Sequence, residues 1–421
     1  MSVPTFGGSP SAGAAVQHFA SPIGLDRLVR KEVSLGVIRE ILPPQDHIGL
    51  GIAPMMDVAT DDVIFDYIKG GLQDGLSPAR AEDAEAELSQ KDDLVYGSGR
   101  AAVIDWSLKD KYTASDVTRY RENLFLAQQV GINQGNMPLN FVGRTIQDFQ
   151  SRVARDDAMR RRKLDNRIEW MIMQAIETGG ISYNDGKIKF TVSYGRPGGQ
   201  QNQAPAGGLW GLAASDPIGD IIAMNEVMYS TYGTRLSSAI TSQRVLNSIW
   251  KSDRFVALSG LINPGTAATG ATKVDLNYLM PGWSQQAAIQ IVENATGVKF
   301  IPYDSIYRTR AVGSTSWVNN RFLSDNKVYF LPLGANLSGS GANQGVTNTV
   351  DFNPAVTGLF DDTEIGFAKT LTAPHPEGEW ASGYYEWEAE TRDPWMHVRG
   401  SGIKAFPIFP YMEYTYTMTV L

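Results

Sequence analysis

The sequence predicts an α+β fold, and three observations carry that expectation. Residues 144–180 read as one uninterrupted helix, residues 209–360 alternate helix and strand, and residues 366–421 are dominated by strand patterns.

The helix comes first because the rest is arranged around it. RTIQDFQSRVARDDAMRRRKLDNRIEWMIMQAIETGG contains no proline, and about 33 helical residues would span roughly 50 Å at 1.5 Å per residue. Thr145 and Asp148 form a plausible capping pair at its start, and Gly179-Gly180 supplies a stop where positive φ is needed. Ile146, Phe149 and Val153 form one apolar stripe near the start; Leu164, Ile168, Met171, Ile172 and Ala175 form another near the end. Between them, Arg152 to Lys163 is nearly all charge. A beam packed at both ends with a solvated middle fits this pattern.

Composition sets the limits. A chain of 421 residues with 43% hydrophobic and 19% charged residues is ordered and long enough for two or three sub-domains. It has no cysteine, which excludes disulfides, thiolate metal sites and thiol catalysis, and only four histidines, none at a shared ligand spacing. No secretory signal and no membrane span are visible, so a soluble chain made in the cytoplasm is expected. Charge is unevenly distributed: between Asp57 and Asp93 eleven acidic residues outweigh three basic ones, which accounts for the whole net charge of −8.

Residues 1–23, rich in Ser, Gly, Ala and Pro, read as an arm ordered only by contact. Residues 24–42 form a short amphipathic element that Pro43-Pro44 ends. VIFDYIKGG (63–71) and RAAVIDWSLKD (100–110) read as the two arms of a long hairpin with acidic sequence between them. After the helix, Asn184-Asp185-Gly186 marks a tight hairpin within ISYNDGKIKFTVSYG, and 195–208 reads as a flexible loop. Asp216-Pro217 opens a helix carrying Ile218, Ile221, Ile222, Val227 and Met228, closed by Gly233. Ala239–Thr241 reads as a strand, followed by a helix with Val245, Leu246, Ile249 and Trp250, another helix from Trp283 to Thr296, and strands at 298–303 and 327–334. Residues 334–345 read as a loose loop. Strands are expected at 366–372, 384–391, 395–400 and 411–421, the last completing a sheet.

This order resembles the Hong Kong 97-type fold of tailed-phage major capsid proteins, and specifically the lambda-type capsid family. The resemblance rests on MIMQAIETGGISYNDGKIKFTVSYG (171–195), on VKFIPYDSIYRT (298–309) with RFLSDNKVYFLPLG (321–334), and on GFAKTLTAPHPEGEWASGYYEWEAETRDPWMHVRGSGIKAFPIFPY (366–411). It implies an N-terminal arm with a short amphipathic element (1–54), an E-loop hairpin (55–112), a P-domain with the spine helix (113–208) and return strands (366–421), and an α/β A-domain (209–365). It also implies a homo-oligomer of hexamers and pentamers in a closed shell around packaged double-stranded DNA. Portal and scaffolding proteins would be further partners, and a decoration protein an optional one. No membrane partner, cofactor, metal or catalytic residue is implied.

Two charged sets are candidate sites. Arg160-Arg161-Arg162-Lys163, with Arg152, Arg155 and Arg167, forms a basic run on the helix. Such a run is usually a solvated face; Asp156–Arg160, Asp157–Arg161 and Arg161–Asp165 have the spacing of i,i+4 pairs. If the spine lines the inner shell, as the resemblance implies, these residues would lie near packaged DNA, binding it weakly because of the neighbouring acids. Lys69, Arg80, Glu82, Asp83, Glu85, Glu87 and Lys91 would make inter-subunit contacts through the E-loop. Alternating carboxylates could bind a cation, but in a hairpin they are more often a soluble surface. The aromatic residues Trp380, Tyr384, Tyr385, Trp387 and Trp395 could form a glycan-stacking strip, though strand aromatics are mostly core or interface. The expected function is therefore a structural, non-catalytic capsid subunit. The alternatives are an encapsulin-like compartment or a glycan-binding or hydrolytic β-rich protein.

Overall fold

The structure, a computed structural model, describes residues 44, 46–69, 95–113, 115, 139–186, 188–212, 214–249, 252, 255, 285–310, 316–338, 349–353, 366–392 and 395–421. The expected N-terminal arm, the amphipathic element at 24–42 and the acidic tip of the long hairpin lie outside the described residues. So do Trp250 and most of the expected loop at 339–345.

Within them the fold is α+β. A short helix α1 (Gly49–Ile52) precedes the long helix α2 (Leu139–Thr178), whose 40 residues span roughly 60 Å. It begins before the expected Thr145–Asp148 cap, so that pair lies inside the helix and not at its start. Gly143 fails to stop it, since one interior glycine costs only about 1 kcal/mol. At the other end Gly179 takes φ 72° and its N–H donates to the Ala175 carbonyl at 2.8 Å. Gly180 serves differently: a Cβ there would collide with the Val192 carbonyl oxygen, where the chain turns into a hairpin.

β1 (Met55–Asp57), β2 (Asp62–Lys69), β3 (Val95–Ala102) and β4 (Asp105–Thr113) follow α1. β2 and β3 pair antiparallel from Asp62↔Ala102 to Lys69↔Val95. The expected second arm at 100–110 is thus two strands, broken at Val103-Ile104. Its latter half, β4, leaves the hairpin and pairs with β16 (Trp395–Ile408). β16 is the centre of a five-stranded sheet: β15 (Tyr384–Arg392) and β4 flank its first two thirds, and β14 (Lys369–Thr372) pairs with its end and with β1. The long helix lies against this sheet through Leu164, Ile168, Met171, Ile172 and Ile176, all buried.

β5 (Gly180–Asn184) and β6 (Lys189–Ser193) form the expected Asn-Asp-Gly hairpin, with Gly186 at φ 83° and Asn184 Oδ1 accepting from its N–H at 3.1 Å. The next stretch, 195–208, is fastened rather than loose. Arg196 donates to the Ile176 carbonyl at 2.7 Å, the Glu177 carbonyl at 3.4 Å and Thr415 Oγ1 at 2.8 Å. It thereby satisfies carbonyls that the end of α2 leaves without partners. Burial lowers its pKa to about 10, within the charged range at neutral pH. Gln203 bridges in parallel to Met418, which closes the loop. Glycine and proline content had concealed the demand of a helix end for donors.

The α/β region forms as expected. α3 (Pro217–Tyr232) has Asp216 as N-cap, accepting from Gly219 N, and Gly233 in the left-handed conformation at its end. Its buried face is Ile218, Ile221, Met224, Asn225 and Met228, whereas Ile222 and Val227 are exposed. With α4 (Gln243–Ile249) and α5 (Gln285–Thr296) it packs on a four-stranded sheet ordered β17-β11-β7-β8. Those strands are β7 (Ser238–Thr241), β8 (Lys299–Pro302), β11 (Lys327–Leu331) and β17 (Tyr416–Thr419). The final strand therefore completes this sheet, not the one beside α2. β9 (Ile306–Thr309) and β10 (Val318–Arg321) form a hairpin, and β12 (Gly334–Ser338) with β13 (Thr349–Asn353) another, where a loop was expected from residue 334.

Candidate functional site

The charged middle of α2 is split by helical geometry. Asp157, Arg160, Arg161, Leu164 and Asp165 turn toward the five-stranded sheet; Arg155, Met159, Arg162 and Lys163 turn away and are exposed. The expectation of a uniformly solvated run is corrected here, because Arg160 is 1% exposed and Arg161 is 5% exposed. Neither forms part of an outer basic face.

Arg160 is the centre of a buried ion network. Its guanidinium pairs with Asp157 one turn back, donates to Asp110 at 2.6 Å and to Ser401 Oγ at 2.9 Å, and lies 3.5 Å from Glu386. Burial disfavours the charge, yet Asp157 and Asp110 hold its pKa above the usual value. Arg399 adds a second cation, 3.1 Å from Glu386. The sheet register brings these groups together: Asp110 of β4 and Glu388 of β15 both pair with Arg399 of β16, and Glu386 pairs with Ser401. Alternation then puts Asp110, Glu386, Arg399 and Ser401 on the helix side. Tyr112, two residues along β4, donates to Asp156 at 3.1 Å.

At the next residue, Arg161 pairs with Asp165 at 2.9 Å, the i,i+4 spacing expected, and lies 3.1 Å over the Tyr384 ring. Tyr384 donates to the same Asp165 at 2.6 Å. Burial raises the Asp165 pKa against the opposing pull of Arg161. Arg167 stands 4.9–5.2 Å over the rings of Tyr183, Trp106 and Trp170, a half-buried aromatic cage. Arg152 lies within the helix and Lys69 ends β2; Arg80, Glu82, Asp83, Glu85, Glu87 and Lys91 lie outside the described residues.

The helix also holds a carboxylate that sequence reasoning missed. Glu169, 1% exposed, accepts from the Ile48 N–H at 3.1 Å, the Gly49 N–H at 2.9 Å and the Tyr303 hydroxyl at 2.7 Å. It joins α1, α2 and the α/β region at one point. Burial outweighs these three donors and raises its pKa to about 7. Beside it, burial lowers the His47 pKa to about 4, so His47 is neutral at neutral pH. A Glu at the i+4 position from Asp165 reads as one more surface charge, and nothing in the spacing betrays partners more than 100 residues away.

The outer stripe is what remains for contact with other molecules. Arg155, Arg162 and Lys163 surround Met159, which is 51% exposed, and among the described residues no ion pair joins them to a carboxylate. The helix's acids at 156, 157, 165 and 169 are engaged on the other side. Of the aromatic set, Tyr384 and Tyr385 are buried and Trp387 covers Gly400, where a Cβ would run into its ring. Tyr384 lies in the core, Tyr385 is buried and Trp387 is half-buried, so these three do not form an exposed stacking strip.

The family described as phage major capsid protein E matches residues 58–381. No curated protein matches the sequence. Among solved structures, a phage-related protein from Bordetella bronchiseptica is similar at 12% identity and TM-score 0.46, covering 92% of this chain and 96% of its own. A putative prophage capsid protein from E. coli is similar at 13% identity and TM-score 0.42, covering 77% and 80%. The holo-SrpI encapsulin from Synechococcus elongatus is similar at 10% identity and TM-score 0.35, covering 88% of each chain. The assignment rests on the family match, which spans most of the chain, and not on these loose likenesses. The chain belongs to the phage major capsid protein E family and is a structural capsid protein.

Proposed function

We propose that this protein is the repeating subunit of a closed icosahedral shell, assembled through pentamers and hexamers, that encloses double-stranded DNA. Family membership supports the shell. The outer stripe of α2 supports the contents: Arg155, Arg162 and Lys163 present three cations with their acidic neighbours turned inward. Such a stripe attracts a phosphate backbone regardless of sequence. It is more strongly basic than the full run suggested, because the acids that would have weakened it are spent on Arg160, Arg161 and Tyr112.

In this reading the β2–β3 hairpin is the root of an E-loop spanning 55–112, whose acidic tip with Lys69, Arg80, Glu82, Asp83, Glu85, Glu87 and Lys91 meets a neighbouring subunit. The long helix and the five-stranded sheet form the P-domain, and the α/β region the A-domain. Portal and scaffolding proteins complete assembly, with a decoration protein as an additional partner. Synthesis takes place in the host cytoplasm.

Reversing all three charges (R155E/R162E/K163E) tests the reading. Folding is unaffected, because the side chains are exposed. Each phosphate contact contributes about 0.9 to the slope of log K against log salt for duplex DNA. Purified triple-variant subunits should therefore lose up to about 2.7 of that slope, and particles should retain a shorter length of genome. Wild-type slope and wild-type genome length would count against a DNA-facing stripe. Imaging particles without nucleic acid would favour a protein-filled compartment instead.

A further inference from the structure

The turn between β14 and β15 holds an exposed tryptophan in a backbone conformation that the sheet beneath it imposes. Trp380 is 72% exposed, the most of any tryptophan among the described residues. Glu379 and Trp380 take φ 60° and 61°, consecutive left-handed positions in residues with side chains. Such backbone is strained, and strain persists only where the surroundings impose it. Here they do. The Trp380 N–H donates to the His375 carbonyl at 3.1 Å, Glu379 N–H to Pro376 at 3.1 Å, and Ala381 N–H to Gly378 at 3.1 Å. His375 stacks flat on Tyr385 at 3.9 Å, and a Cβ at Gly378 would meet Tyr385 Cβ at 2.9 Å. Tyr385 in turn is buried and donates to Asp105. The turn is thus clamped to the five-stranded sheet, with the indole aimed into water.

We infer that Trp380 is an assembly anchor, buried by a second copy of this chain when the shell forms. The inference rests on the shell reading above, and that reading supplies the occupant: the subunits of a closed shell meet copies of themselves around their edges. A large aromatic on a rigid support loses little freedom on burial, which is the character of residues that dominate interfaces. Glu379 flanks the indole and is exposed. The receiving surface on the neighbour is therefore apolar with a cationic rim, and the contact weakens as salt is raised.

The test uses the full chain. Trp380→Phe and Trp380→Ala are purified as unassembled subunits and then brought to assembly conditions beside the wild type. The wild-type minus W380F fluorescence difference isolates Trp380. On assembly this signal moves to shorter wavelength and becomes protected from a soluble quencher. W380A subunits keep the wild-type unfolding temperature and need at least about tenfold higher concentration to form shells. W380A assembly at the wild-type concentration, or a Trp380 signal equally quenched in subunits and shells, overturns the anchor while leaving the shell reading intact. Wild-type protein that forms no shells overturns both. Should W380A fail to fold, the W380F difference signal decides alone.

Discussion

Replacing Glu169 with alanine is expected to cost the subunit on the order of 3 kcal/mol, since it leaves two backbone N–H groups and a tyrosine hydroxyl buried without acceptors. The loss falls on three elements together, because Ile48 and Gly49 open α1 while Tyr303 follows β8. Thermal unfolding reads the total, and amide exchange at Ile48 and Gly49 reads the release of α1. Gly49→Ala should act similarly, as its Cβ would collide with Glu169 Oε2. Glu169→Gln gives the pH arm. The carboxyl's pKa rises from 4.5 to about 7 on folding, so the folded subunit holds this proton more tightly than the unfolded chain. Its contribution is therefore fully present below about 4.5 and is lost as pH rises through about 7. His47, lowered from 6.5 to about 4, acts with the opposite sign over much of that window, so the readout is the difference: stability of the wild type minus that of the glutamine variant should fall as pH rises from about 4.5 to about 7. Parallel profiles would refute the linkage, and an unchanged melting temperature in the alanine variant would refute the keystone.

Arg160→Met should cost a comparable amount, about 3–5 kcal/mol, the range for breaking a buried pair by removing one partner. Asp157 and Glu386 would be left as carboxylates of almost no exposure, with Arg399 as the remaining buried cation. The methionine fills most of the volume, so the cost is electrostatic and not a cavity. The double variant R160M/D157N should accordingly recover a substantial part of the loss, because it removes the buried Asp157 charge together with that of Arg160. Thermal unfolding of purified subunits measures both. A double variant no more stable than R160M alone would mean that Asp157 is not the partner that matters. Arg162→Met, on the exposed side of the same turn, should leave stability unchanged within about 0.5 kcal/mol.

That contrast between Arg160 and Arg162 marks the limit of what the sequence disclosed. The long helix, the Asn-Asp-Gly hairpin and the Asp216–Gly233 helix were legible because their signals are local: periodicity, turn residues and caps. The sides of the basic run were not. Arg160 is buried by Asp110, Ser401 and Glu386, and its separations from the first two are 50 and 241 residues. The run itself shows only that pairing within the helix is possible. Arg161–Asp165 forms as spaced, while Asp156 is drawn off by Tyr112, 44 residues earlier. Glu169 was overlooked for the same reason. Loop composition misled at 195–208, where Arg196 is required by a helix end and not by its own neighbours. The early start of α2 reflects a weak cap signal at Thr145 overruled by continued helical pattern.

The pairing of β17 with β11 also bears on when the subunit becomes competent to meet its own kind. β7 and β8 can align as soon as residue 302 has been made, but Tyr416–Thr419 must arrive before the sheet gains its outer strand and Gln203 its bridge to Met418. Closing contacts over such sequence separations is slow and comes late in folding. Until Tyr416–Thr419 pairs, β11 leaves an open sheet edge and Gln203 lacks its bridge to Met418. Arrival of that strand, not the appearance of the long helix, completes the surface that can be offered to a growing particle.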